Sequence, residues 1–286
     1  MNGREWPLVL FTLIGQAAAG LAFFLILPLY FFPALTSDRS LGGFRLGVPL
    51  IILALLGAAA LLSFFHLGNP ARAVRALANT GASWLSKEIL AEIIFMGATA
   101  GLAYLAWKAP GSPAGTTLAV LVVAEAAAFV YSMGKIYTIP AVPEWNSAAT
   151  RGSFFASAFG LGSMAAALAV RGAIPFIEGA PGTRLDSDLH IAALAVAGGS
   201  CLVALLFSPG FGLLIAKRPS RVYAPKRAFT VIFIVRIVLL LFSGGIWAFV
   251  VFHPAAPPDW AWAGFGLAFL SETLGRLLFY SLPDGL

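Results

Sequence analysis

The sequence predicts an all-α integral membrane protein of eight transmembrane helices, able to pack as two groups of four. Three observations predict it. Of the 286 residues, 60% are hydrophobic and only 10% are Asp, Glu, Lys or Arg, well under the roughly 25% charge of a soluble domain. The apolar residues gather in runs of about 17–25, the length that crosses a bilayer core as a helix. Within each run they are continuous, without the alternation of a membrane β-barrel strand.

Bounded by charge, Pro or Gly, the runs in sequence order are 7–32, 46–65, 88–107, 115–137, 152–171, 189–209, 228–252 and 259–280. The first is longer than the apolar region of a secretory signal and no clear cleavage site follows it, so it reads as a span. The second ends at His66, before Gly68 and Pro70, and the third opens at Glu88. The fourth carries Glu125 near its middle, and the fifth follows Arg151. In the sixth, apolar character resumes after Pro209-Gly210 and runs to Ala216. It is either one helix kinked at the proline or a span followed by a surface segment. The seventh and eighth carry Arg236, and Glu272 with Arg276. With short connections and no evident repeat, the whole of 1–286 reads as one polytopic membrane domain.

The net charge of +6 is an orientation signal, not a nucleic-acid footprint, because no basic run alternates with exposed aromatics. Let side A be the face with the N-terminus and the loops after spans two, four and six. Leaving out Arg236 and Arg276, side A carries eleven Lys and Arg and side B five, and five of the eleven lie in 217–227. That bias places side A and both termini in the cytoplasm. The one cysteine, Cys201, excludes a disulfide within the protein and a cysteine-ligated iron–sulfur cluster, which needs about four thiolates. It reads as a small packing residue.

A charge at the bilayer centre costs on the order of 3 kcal/mol, so those found there usually face protein or water. Glu88 and Glu92 share a helix face at four-residue spacing. They read either as a capped helix start favoured by the dipole or as buried acid groups. Glu272 and Arg276 have the spacing of an intrahelical ion pair, and Glu125 and Arg236 are candidates to pair across helices. His66 ends its helix at side A, held at fixed depth by Gly68 and Pro70. The third span starts on the same side at Ser86-Lys87-Glu88, so His66 and Glu88 are expected to be neighbours. An imidazole beside a carboxylate can accept a proton and pass it to water, which a quinol requires. Tyr131, Lys135 and Tyr137, at the side A end of the fourth span, read as interfacial anchors or as lining of the same pocket. A bis-histidine haem is not expected: His66 has no partner at its depth, and His190 and His253, both at side B, could meet in principle but His253 sits in the Pro-rich loop from His253-Pro254 to Asp259. Two other classes stand beside this one. A secondary transporter would use Glu88, Glu125 and Glu272 as ligands, though no paired helix breaks are visible. An inert anchor would carry no chemistry.

The N-terminal Glu5-Trp6-Pro7-Leu8 with Phe11-Thr12 and Gly15-Gln16 resembles the start of the membrane anchor subunit of bacterial dimethyl sulfoxide reductase. So do His66-Leu67-Gly68-x-Pro70-x-Arg72-Ala73 and Gly81-Ala82-Ser83 with Ser86-x-Glu88-Ile89. Glu272-x-x-Gly275-Arg276-x-x-Phe279-Tyr280 resembles the family's last helix, and Tyr137 through Val142-Pro143 and Trp145 is a weaker match. The resemblance implies an anchor without haem that exchanges electrons with a menaquinone or ubiquinone pool. It also implies a heterotrimer with a four-cluster iron–sulfur subunit and a molybdopterin catalytic subunit in a bacterial inner membrane. Its quinol-site histidine and glutamate fall on His66 and Glu88, with Gly68, Pro70, Arg72 and Ser86 shaping the pocket. Similar anchors serve sulfite-oxidising complexes, in which electrons run into the quinone pool. A catalytic arm on a cytoplasmic side A would suit that direction, whereas a periplasm-facing reductase would oppose the charge bias.

Overall fold

The computed structural model describes residues 6–31, 41–66, 79–142, 145–173, 227–253 and 256–281. The expected sixth span, Cys201, His190, the bulk of the basic loop up to 226, and Gly68, Pro70 and Arg72 lie outside them.

Among the described residues the protein forms seven helices. The first, α1, runs from Trp6 to Phe31, with a π turn at Ala22–Ile26. It is followed by α2 (Gly42–His66), α3 (Trp84–Lys108), α4 (Pro113–Ile136), α5 (Ala148–Ala173), α6 (Arg227–Phe252) and α7 (Pro258–Ser281). The first six are long and apolar enough to cross a membrane. The seventh is less apolar because it carries Asp259, Glu272 and Arg276. These helices correspond to seven of the eight expected spans.

Several helices start about a turn before the expected boundary, because apolarity marks only the part of a helix in hydrocarbon. In α3 the N-cap is Ser83, whose hydroxyl accepts from the Ser86 N–H at 3.3 Å. In α4, Ser112 accepts from the Gly115 N–H at 3.2 Å, with Pro113 in the first turn. The expectation that Glu88 opens its helix is thereby corrected: the first turn of α3 holds no acid, and Glu88 comes after it. The π turn in α1 also has a local cause. Pro28 cannot donate to the carbonyl four residues back, and the preceding turn widens so that the Leu27 N–H reaches Ala22 O.

The helix α1 is the centre of the bundle, packed against α2, α4, α5 and α7. It meets α5 at Gly20 and Gly162, where a Cβ on Gly20 would strike Ala158 O and the Gly162 backbone. Small residues that let backbones approach this closely supply packing where lipid removes the hydrophobic drive between helices. On either side stand two hairpins, α3–α4 and α6–α7. Ser243 Oγ donates to Gly264 O at 2.7 Å and Ser271 Oγ to Arg236 O at 2.9 Å, so α7 runs antiparallel to α6. It is antiparallel to α5 as well: Arg171 reaches Ala256 O, and Ser157 reaches Glu272. The end of α7 therefore lies at side A, beside the starts of α1, α3 and α5.

Candidate functional site

The inward face of α3 is written in its spacing. Glu88, Ala91, Glu92, Phe95, Ala98, Thr99 and Leu102 are all buried, the three- and four-residue intervals of one helix stripe. Two acids thus stand where apolar residues are the rule, Glu88 at 4% and Glu92 at 7% exposure. Counted at about 1.5 Å per residue from Trp84, they lie about 6 and 12 Å below the start of the helix. One oxygen of Glu92, Oε1, is buried with no hydrogen-bond partner.

Two phenols stand at the same side A end of the bundle as Glu88. The Tyr137 and Tyr280 hydroxyls, from the end of α4 and the end of α7, are 3.3 Å apart. Aromatic packing fixes them. Tyr137 stacks on Phe154, with centroids 5.6 Å apart. Trp145 stacks on Phe279 at 5.2 Å and donates its Nε1–H to Phe279 O at 3.0 Å. The side A end of the bundle is thereby closed by residues from α5, α7 and the loop after α4.

Deeper, a string of polar groups joins α6, α7, α5 and α1. Arg236 Nη2 donates to Glu272 Oε1 at 3.1 Å, and Ser157 Oγ donates to Glu272 Oε2 at 2.6 Å. Arg276 Nη2 donates to Ser157 Oγ and to Gln16 Oε1, both at 3.2 Å. The Arg276 guanidinium lies over the Phe154 ring, 3.6 Å from its centroid. Gly275 makes room for Arg236, since a Cβ there would lie 2.5 Å from the guanidinium carbon. Two expectations are corrected by this geometry. Arg236 pairs with Glu272, not with Glu125, because the antiparallel hairpin puts 236 and 272 at one level. Glu272 takes its ion pair from α6, and Arg276 on its own helix reaches it through Ser157. Glu125 is only partly buried on α4.

The expected site residues fall into three groups. Ser86 and Glu88 are both buried on α3, but two residues apart they point to nearly opposite sides of the helix, and only Glu88 lies on the inward stripe. His66 is the last residue of α2, at side A. Tyr131 and Lys135 gather instead around Trp84 on the α3–α4 hairpin. Tyr131 meets the indole edge-on at 5.8 Å, and the Lys87 and Lys135 ammonium groups lie 4.2 and 5.0 Å from its centroid. Tyr131 is 42% exposed, which is the arrangement of a headgroup-level belt. Sequence reasoning alone misses Gln16, Ser157 and Tyr280 as site residues, although a Gln inside an apolar span is the kind of signal that marks a buried polar contact. A separate groove of about 370 Å³ opens between α6 and α7 toward side B, lined by Leu241, Phe242, Gly245, Ile246, Phe249 and Trp260. It carries no acid or base and lies away from Glu88.

The family model described as DMSO reductase anchor subunit (DmsC) matches residues 1–282. The anaerobic dimethyl sulfoxide reductase protein YnfH of Escherichia coli K12 is 30% identical over 98% of this sequence and 96% of its own length. The C subunit of the anaerobic dimethyl sulfoxide reductase of Haemophilus influenzae is 35% identical over 53% of each protein. The C subunit of the corresponding E. coli K12 enzyme is 35% identical over 54% of each. No solved structure matches. A family match over nearly the whole length, on a bundle of apolar helices, settles the class of protein: it belongs to the DMSO reductase anchor subunit family.

Proposed function

We propose that this subunit holds a heterotrimeric molybdoenzyme on a bacterial inner membrane and oxidises quinol at the side A end of its bundle. The partners are a four-cluster iron–sulfur subunit, docked at side A, and a molybdopterin catalytic subunit. One observation carries the reading: Glu88 is buried on the inner face of α3, at the same end of the bundle as the paired phenols of Tyr137 and Tyr280. The helix dipole favours a carboxylate only within the first turn, and Glu88 lies beyond the first turn of α3, so the dipole does not account for its burial.

Quinol oxidation releases two electrons and two protons. The electrons leave singly to the nearest cluster of the partner, and the protons need local bases. Glu88 accepts one from a quinol hydroxyl, and His66, at the end of the neighbouring α2, takes the proton on to water at side A. The Tyr137–Tyr280 pair orients the ring by hydrogen bonding, and the apolar wall holds the isoprenoid tail. The substrate is menaquinol or ubiquinol. Quinol oxidation is favoured over quinone reduction because the relatives above are all named as reductase components. The transporter reading is disfavoured, since Glu272, one of its ligands, is already held by Arg236 and Ser157.

The test is quinol-dependent reduction of the partner's clusters in intact membrane complexes. Glu88→Gln and His66→Ala are expected to lose about a hundredfold or more in rate, the scale of a lost general base, while an artificial donor to the catalytic subunit works unchanged. Normal quinol-dependent transfer in both variants would remove the site from these residues.

A further inference from the structure

Glu92 has no place in that scheme, yet its position is the least explained in the bundle. The protein shows how it satisfies a structural carboxylate in the membrane: Glu272 has a guanidinium on one oxygen and a hydroxyl on the other. Glu92 is 7% exposed and is not held in this way, its Oε1 being buried and unbonded. A polar group left unpaired in a low-dielectric interior is costly, and a plain apolar residue at this position would avoid the cost. The face it occupies is not a free choice either. Glu92 lies one helical turn from Glu88 on the same stripe and is close enough to interact with it electrostatically. The helix packed against this part of α3 is α2, which at that depth, counting about 1.5 Å per residue from side A, carries the small residues Ala58, Ala59 and Ala60.

We propose that Glu92 is a second proton-relay group of the quinol site, one turn inward of Glu88. The inference rests on the quinol-site reading above. Each turnover liberates two protons as the partner's iron–sulfur clusters take two electrons one at a time. With Glu88 as the only buried base, the second proton must wait until the first has left. With Glu92 behind it, Glu88 hands its proton inward and is free to accept again, and both protons leave to side A water by way of Glu88 and His66. Glu92 does not touch the quinol in this scheme, so its loss slows turnover without weakening binding.

The experiment compares wild type, Glu92→Gln, Glu92→Met and Glu92→Asp in the intact membrane-bound complex, with Glu88→Gln beside them. Artificial-donor activity in the membrane fraction reports assembly. Quinol-dependent kcat, KM for quinol and the solvent deuterium isotope effect report the relay. The expected result is a drop of about tenfold or more in kcat for both Gln and Met variants, a smaller loss than the roughly hundredfold or more of a base that takes the proton directly from the substrate. KM should be little changed, the isotope effect larger than in wild type, and kcat substantially recovered in the Asp variant. Wild-type kcat in either the Gln or the Met variant would overturn the proposal, as would a rise in KM that accounts for the whole loss. Loss in Glu88→Gln with none at Glu92 sinks only the relay. Full activity in Glu88→Gln sinks the quinol site itself.

Discussion

At the scale of single residues, the buried charges divide by whether the fold has answered them. Arg236 and Glu272 answer each other, and Ser157 takes the remaining carboxylate oxygen. Removing one member leaves the other buried and unpaired, which costs about 3–5 kcal/mol. Glu272→Gln is therefore expected to lower thermal stability of the purified complex strongly, and Arg236→Met with Glu272→Met to recover much of the loss, as read by the melting temperature in detergent. Among the described residues Glu88 and Glu92 have no such guanidinium, and the proposed proton chemistry is placed on them for that reason. Much of this division is open to sequence reasoning. An acid in an apolar span is visible without coordinates, and depth and spacing single out Glu88 together with His66. The partners are not visible. Four-residue spacing offers Arg276 to Glu272 as readily as a neighbouring helix offers Arg236, and only the register of α6 against α7 decides between them. The burial of Gln16 against Arg276, 260 residues away in sequence, has no local signature at all.

At the scale of the helix, hydropathy locates a span well and its ends poorly. The α3 helix begins at Trp84 because Ser83 caps it, whereas the apolar run begins only after Lys87 and Glu88. The polar first turn is helical but lies at headgroup level, and that offset moves Glu88 from a helix tip to the interior. Close approach between helices is equally hard to read from one sequence, since Gly20 is one glycine among 30. In the fold it is the point where α1 touches α5. Gly20→Ala forces a Cβ into the backbone of α5, and overpacking of this kind costs typically about 1–3 kcal/mol, at times more. The variant should melt several degrees lower than wild type. Gly97→Ala, where a Cβ meets nothing within 4 Å, should leave the melting temperature unchanged under the same conditions.

At the scale of the whole molecule, the alternation of α1 to α5 and the return of α6 and α7 define two faces, and the Lys/Arg bias predicts that side A faces the cytoplasm. With side A cytoplasmic, a cysteine placed at Ser83 in a Cys201→Ala background should resist a membrane-impermeant maleimide in whole cells and react in inverted vesicles. The opposite pattern would place the catalytic arm in the periplasm. Cys201 in the otherwise unaltered protein should react only after solubilisation if 189–209 is a span. A final consequence follows from the order in which ribosomes deliver these helices. The first to enter the membrane, α1, carries Gln16, and its partner Arg276 arrives with the last. Tyr137 and Trp145 likewise wait for Tyr280 and Phe279. Until α7 inserts, Gln16 lacks its guanidinium, Tyr137 its hydroxyl partner and Trp145 its carbonyl, so a polypeptide that stops before residue 258 should be cleared from membranes faster than the full-length protein in a pulse-chase measurement.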